Sequence, residues 1–109
     1  AGIRVPVAVG DFLIIRAIRE SKGFAMSVSD EDLMEARDRV ANIDGCFLCP
    51  EGAATMTAYE KALSSQFISK DDKVILFNCA TGLKYPLPEV LNRIDKNNEI
   101  DYKIFINHP

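Results

Sequence analysis

Asp72-Lys73-Val74-Ile75-Leu76-Phe77-Asn78-Cys79-Ala80-Thr81-Gly82-Leu83-Lys84-Tyr85-Pro86 is the stretch whose reading decides the fold. Val74 to Phe77 is an unbroken apolar run with β-branched members, which predicts a short strand buried on both faces. Polarity changes abruptly after it. Asn78, Cys79, Ala80, Thr81 and Gly82 are small or polar, and Gly82 admits a backbone turn that other residues resist. In an open parallel sheet, ligands gather beyond the carboxyl ends of the strands, so these residues stand where a cofactor can approach closely. The plainer alternative is an ordinary buried strand and turn.

Upstream, Cys49-Pro50-Glu51-Gly52-Ala53-Ala54-Thr55 opens a helix. Proline suits the first turn, and a carboxylate is favourable at the positive end of the helix dipole. Gly52, Ala53 and Ala54 strip bulk from that turn, which admits either a close backbone or a flat ligand ring. Met56, Tyr59 and Leu63 are expected to carry the core contact further along. Cys46 and Cys49 form a Cys-x-x-Cys pair that could be redox-active or half of a zinc site. The bulky apolar Phe47 and Leu48 between them favour two buried thiols acting as small hydrophobes.

Two more helices precede this one. Asp11 is the expected cap of a helix whose Phe12, Leu13, Ile14, Ile15, Ala17 and Ile18 make an apolar face wide enough to require burial, with Gly23 as its stop. Phe24 to Val28 alternates like a strand. Ser29 then caps a second helix whose Asp30, Glu31 and Asp32 complement its dipole, and Gly45 ends it. Beyond Lys84, a short helix from Leu87 to Asp95 and a strand from Tyr102 to Asn107 are expected.

Composition narrows the class. The 109 residues are 48% hydrophobic and carry a formal charge of -3, enough apolar mass for one globular domain and no basic stripe for nucleic acid. No apolar run approaches the ~18 residues of a membrane span, and no secretion signal is evident. Three cysteines, an odd count, suit reduced thiols. The expectation is a soluble cytoplasmic protein with neither metal nor membrane partner.

Taken in order, several runs resemble the C-terminal part of threonine synthases. They are Val5-Pro6-Val7-Ala8-Val9-Gly10-Asp11-Phe12-Leu13-Ile14, Ala17-Ile18-Arg19-Glu20-Ser21, Val28-Ser29-Asp30, Cys49-Pro50-Glu51-Gly52-Ala53-Ala54-Thr55, and Phe77-Asn78 with Gly82-Leu83-Lys84-Tyr85. The resemblance implies a pyridoxal 5'-phosphate enzyme of the tryptophan synthase β-subunit-like fold, fold type II. The expected class is therefore α/β, a partial three-layer sheet with flanking helices, residues 1–109 forming a single domain or fragment of the catalytic domain. The family's Phe-Asn-Thr-Gly-Ser-Gly-Leu-Lys reads here Phe77-Asn78-Cys79-Ala80-Thr81-Gly82-Leu83-Lys84. Cys79 thus falls where the family has the threonine beside the pyridine nitrogen. The implied cofactor-binding residues are Cys79, Ala80, Thr81 and Glu51. A neutral thiol there moderates electron withdrawal by the ring and favours elimination or replacement chemistry.

The family's Schiff-base lysine, in a Ser-Phe-Lys-Asp segment, does not occur in this chain, and no Gly-x-Gly phosphate loop is present. No residue here is assigned as catalytic, and Lys84 reads as a solvated side chain. The expectation is a C-terminal fragment or truncated relative. When complete, it would convert O-phosphohomoserine to threonine, with the upstream part of the same polypeptide or another copy as partner and pyridoxal phosphate bound only in that assembly. Alternatives are a serine/threonine dehydratase-like enzyme, a non-catalytic remnant acting as a binding module, and a redox or zinc module built on Cys46 and Cys49.

Overall fold

The computed structural model describes residues 3, 5–87 and 94–105. Three α-helices organise them: α1 (Asp11–Ser21), α2 (Asp30–Asp44) and α3 (Pro50–Ser64), followed by 3-10 turns at Gly82–Lys84 and Tyr102–Phe105. No strand is present among the described residues. A single antiparallel bridge, Leu48 with Thr81, is the extent of β pairing there.

Local chemistry explains α2 and α3. The Ser29 hydroxyl accepts the Asp32 amide N–H at 3.1 Å, and three carboxylates occupy the first turn of α2. Gly45 closes the helix at φ 67°, a left-handed conformation that glycine adopts without a Cβ penalty. In α3, Pro50 occupies the first turn and Cys49 is the N-cap, its sulfur accepting the Gly52 N–H at 3.2 Å.

α2 and α3 pack against one another, and small residues make the contact. Leu33, Ala53 and Ala54 form the buried cluster, with Val28 and Leu48 packed against it. Gly52, Thr57 and Ala62 are also buried, whereas Met56, Tyr59 and Leu63, the expected core positions, are half-buried. Small side chains let the helices approach closely, and burying Leu33 contributes roughly 1.5–3 kcal/mol. Thr57 Oγ1 lies 3.3 Å from the Asp32 carbonyl oxygen and 3.2 Å from that of Ala53, to which it can donate. Ion pairs Lys61–Asp32 and Arg39–Glu60 flank the contact. Their half-exposed charges contribute little individually, on the order of 0–1 kcal/mol.

The expected sheet is overturned. Residues 73–79 run without regular secondary structure, and Ile75 is 93% exposed. A strand exists only through bonds to neighbouring strands, and none among the described residues lies alongside Val74 to Phe77. Residues 24–28 likewise form no strand, although Phe24 stacks on Phe67 with ring centroids 5.2 Å apart. Residues 102–105 form a 3-10 turn instead of the start of an edge strand. Most of the helix expected from Leu87 to Asp95 lies outside the described residues.

α1 departs from expectation in three ways. Gly10, not Asp11, is the N-cap, and no side chain caps the helix. Lys22 takes the left-handed conformation at φ 54°, with the Gly23 N–H bonded to the Ile18 carbonyl at 2.9 Å. None of its residues is buried, so Phe12, Leu13, Ile14 and Ile15 face outward. The accessible surface of 9271 Å² makes the same point, since a compact 12.1 kDa protein exposes about 6000 Å². The radius of gyration, 17.9 Å, exceeds the ~13 Å expected of a closed domain this long. Apolar content sufficient for a core is present, but most of it is not folded into one.

Candidate functional site

The site grows from the N-terminus of α3. Phe47, Leu48 and Cys49 lead into it, Cys49 with extended backbone, and are met by residues 78–82 returning from the other side. The Gly82 N–H donates to the Phe47 carbonyl at 2.9 Å, next to the Leu48–Thr81 bridge. This approach depends on glycine. A Cβ on Gly82 would sit 2.5 Å from the Leu48 carbonyl oxygen and 2.6 Å from Phe47 Cδ1. Gly52 meets the same requirement across the junction, where a Cβ would collide with the Asn78 side-chain amide. The small first turn of α3 thus admits both a neighbouring helix and an incoming polar side chain.

Asn78 ties the two sides together. Its Oδ1 accepts from the Cys49 amide at 3.4 Å and from the Cys49 thiol at 3.3 Å. Cys49 is fully buried, and its sulfur lies 3.8 Å from that of exposed Cys79. This hydrogen bond, with desolvation and the electrostatic effect of Cys49 behind it, raises the Cys79 pKa above the ordinary thiol value. Nearby, the Tyr85 hydroxyl donates to Glu51 Oε2 at 2.8 Å, and the bond to that carboxylate raises the tyrosine's pKa. Thr81 caps the 3-10 turn, its hydroxyl accepting the Leu83 N–H at 3.3 Å.

Beside this junction lies an open, mostly apolar cavity of about 720 Å³, within the range of ordinary ligand pockets. Cys79, Ala80 and Thr81, singled out from the sequence, all line it, together with Phe47, Asn78 and Leu83. Glu51 does not line it and is engaged instead with Tyr85. The Arg37 guanidinium lies 5.1 Å from the centre of the Phe47 ring, while Asp38 accepts its Nε–H at 2.8 Å. A buried cation braces one cavity wall.

Cys46 and Cys49 are not a matched pair of buried thiols: Cys46 is exposed and Cys49 buried, and the sulfur facing Cys49 belongs to Cys79. No group of three or more His, Cys, Asp or Glu among the described residues is placed to hold a metal ion. No helix among them is long and apolar enough to cross a membrane. The sequence put Asn78 in the ligand-facing group and Tyr85 in the family-like run but gave neither a role of its own. The bond from Asn78 to Cys49 had no local signal, because the two residues are 29 positions apart.

A flat pyridine ring suits the cavity in size and apolar lining, and the exposed Cys79 thiol offers it a weak hydrogen-bonding partner. Nothing among these residues fits a phosphate group in the same way: the lining contains no cationic side chain. The fit is therefore to the ring side of such a cofactor.

No family model matches the chain. It is 31% identical over 84 residues to a threonine synthase of Methanocaldococcus jannaschii, covering 77% of this chain and 21% of that protein. A threonine synthase of Methanosarcina acetivorans is 32% identical over 84 residues, with the same coverage of 77% and 21%. One from Halalkalibacterium halodurans is 29% identical over 97 residues, covering 86% of this chain and 27% of its own length. The chain spans about a fifth to a quarter of the length of these curated relatives. Along most of its length, this chain is threonine synthase-like, similar to the C-terminal part of those enzymes.

Proposed function

We propose that this chain supplies the ring-side wall of a pyridoxal phosphate site in a threonine synthase-like lyase, which in complete form converts O-phosphohomoserine to threonine. The observation carrying this reading is the junction that Asn78 makes with Cys49 and Gly52 beside one cavity, with Cys79, Ala80 and Thr81 on the cavity wall. When bound, the cofactor supplies an electron sink for elimination and replacement at the substrate carbon chain. The chain's own residues have narrower tasks. Cys79 would offer the ring a weak hydrogen-bonding partner without delivering a full charge, Asn78 fixes the wall by holding Cys49, and Phe47 and Leu83 would give the ring an apolar lining. Glu51 acts indirectly, by holding Tyr85 and the turn before it.

The lysine that binds the cofactor covalently comes from outside this chain in the same proposal. The exposed apolar residues of α1 and of 74–77 support association with the rest of such an enzyme or with a second copy. A cytoplasmic location belongs to the reading too, supported by three free cysteines.

Joined with a segment bearing the family's Ser-Phe-Lys-Asp lysine, the chain is expected to bind pyridoxal phosphate and release phosphate from O-phosphohomoserine. Alone, it gives no lysine-linked cofactor absorbance. Cys79→Asp in the joined protein should favour protonation of the ring nitrogen, altering the cofactor spectrum and the balance of side products. An unchanged spectrum and product ratio would place Cys79 away from the ring. Because Cys79 departs from the family's threonine, a dehydratase-like elimination is the second reading, recognised by a 2-oxo acid and ammonia in place of threonine.

A further inference from the structure

We propose that Cys49 and Cys79 form a reversible disulfide, making the junction between α3 and residues 78–82 a thiol–disulfide switch. Their sulfurs are 3.8 Å apart although the residues are 30 positions apart in sequence. A bond needs an approach to about 2.05 Å, a shift of under 2 Å. The two thiols are unequal in access. Cys79 is exposed on the cavity wall, whereas Cys49 is buried and held by three contacts: the Gly52 N–H at 3.2 Å, Asn78 Oδ1 at 3.3 Å and Cys79 itself. This is the arrangement of an attacking thiol open to solvent and a resolving thiol held beside it. The neighbouring Cys46, which the Cys-x-x-Cys spacing would pair with Cys49, is exposed, while the Cys49 sulfur is turned inward.

The oxidant is a low-molecular-weight disulfide such as glutathione disulfide. In the first step the thiolate form of Cys79, a minor fraction near neutral pH because its pKa is raised, attacks one sulfur of that disulfide, so the step quickens as pH rises. A Cys79–glutathione bond forms, the original sulfur–sulfur bond breaks, and one glutathione thiolate leaves and takes up the proton Cys79 gave to solvent. In the second step Cys49 attacks the Cys79 sulfur and expels the second glutathione, which receives the Cys49 proton through solvent. Two electrons pass from the cysteine pair to the glutathione disulfide. Excess thiol reverses both steps. The product ties the first turn of α3 to residues 78–82 and removes the Cys79 thiol from the cavity. Its effect on cofactor binding rests on the reading above; the disulfide itself does not.

The test exposes the reduced purified protein to glutathione disulfide without any cofactor, followed by free-thiol counting and peptide mapping. At one equivalent of glutathione disulfide the free thiols are expected to fall from three to one, with a Cys49–Cys79 crosslinked peptide, a mass loss of two hydrogen atoms and full reversal by dithiothreitol; excess oxidant adds a glutathione only at exposed Cys46. Cys46→Ser should form the same crosslink. Cys49→Ser, which keeps an N-cap hydroxyl for α3, should stop at a glutathione adduct on Cys79, its helicity verified by circular dichroism. A Cys46–Cys49 crosslink, a lasting adduct on wild-type Cys79, or three free thiols at excess oxidant would each overturn the proposal. Since the readout needs no cofactor, such a failure is distinguishable from failure of the cofactor reading.

Discussion

The α2–α3 pair and residues 74–77 are both rich in apolar side chains, yet one is packed and the other open to solvent. In the helical pair, Leu33, Ala53 and Ala54 bury against each other because each helix brings its own backbone hydrogen bonds and needs its partner only for side-chain cover. Val74 to Phe77 would need a partner's backbone to become a strand, and it leaves Phe77 76% exposed. α1 stands between the two cases. It forms its own hydrogen bonds and is a complete helix, but nothing covers its apolar side chains among the described residues. The difference teaches that a helix is specified locally and a strand is not, so an apolar run alone does not determine which of them is realised.

Breaking the packed half should have the largest effect. Ala53→Asp puts an unpaired carboxylate at a fully buried position of the helix contact and should cost about 4 kcal/mol or unfold the pair outright, read by urea denaturation followed by circular dichroism. A retained midpoint would show that the contact does not carry the stability. Gly82→Ala should cost about 2–3 kcal/mol at the junction, because its Cβ meets backbone that cannot yield. Hydrogen exchange should locate that loss at residues 47–49 and 78–85 and leave the Ala53 to Ala62 amides protected.

A smaller effect is expected from acid. The Ser29 hydrogen bonds and the Lys61 contact hold the Asp32 pKa below 3.8, so the folded value lies under the unfolded one. The stability it contributes is present above pH 3.8 and lost as pH falls through the lowered folded value. The stability gap between wild type and Asp32→Asn should therefore close over that acidic window; a gap constant to the lowest pH would remove the group from the balance. Least affected should be Ile14→Ser on α1. At 57% exposure, the isoleucine can be replaced with a change within about 0.5 kcal/mol. A large loss would reveal that α1 is covered in solution.

What could be read from the sequence follows the same division. Ser29 and Gly45 mark helix ends through bonds with residues three or four positions away, and Pro50 through its fixed φ and missing N–H, and the structure has the helices where these residues put them. The αL position of Lys22, one residue before the glycine expected to close α1, was not legible because a lysine there has no composition signal. Cys79, Ala80 and Thr81 were legible as a group through the family resemblance, and they share a cavity wall. The hydrogen-bonding roles of Asn78 and Tyr85 were not, because they come from Cys49 and Glu51, 29 and 34 positions earlier. The sheet was misread for the matching reason: a strand's existence depends on partners that Val74 to Phe77 does not find among the described residues.

The junction at the start of α3 also has a consequence in time. Residues 78–85 can dock only onto a first turn that already exists, because Asn78 and Tyr85 bond to Cys49 and Glu51 as α3 presents them. The helix pair should therefore assemble before the cavity, and on opening the cavity should go first. Two neighbouring amides carry clocks for the two events. The Cys49 N–H is bonded across the junction to Asn78, whereas the Ala53 N–H is bonded within the helix to the Cys49 carbonyl at 2.9 Å. The first should exchange with solvent well before the second, so that the cavity wall comes and goes many times within the lifetime of the helix that bears it.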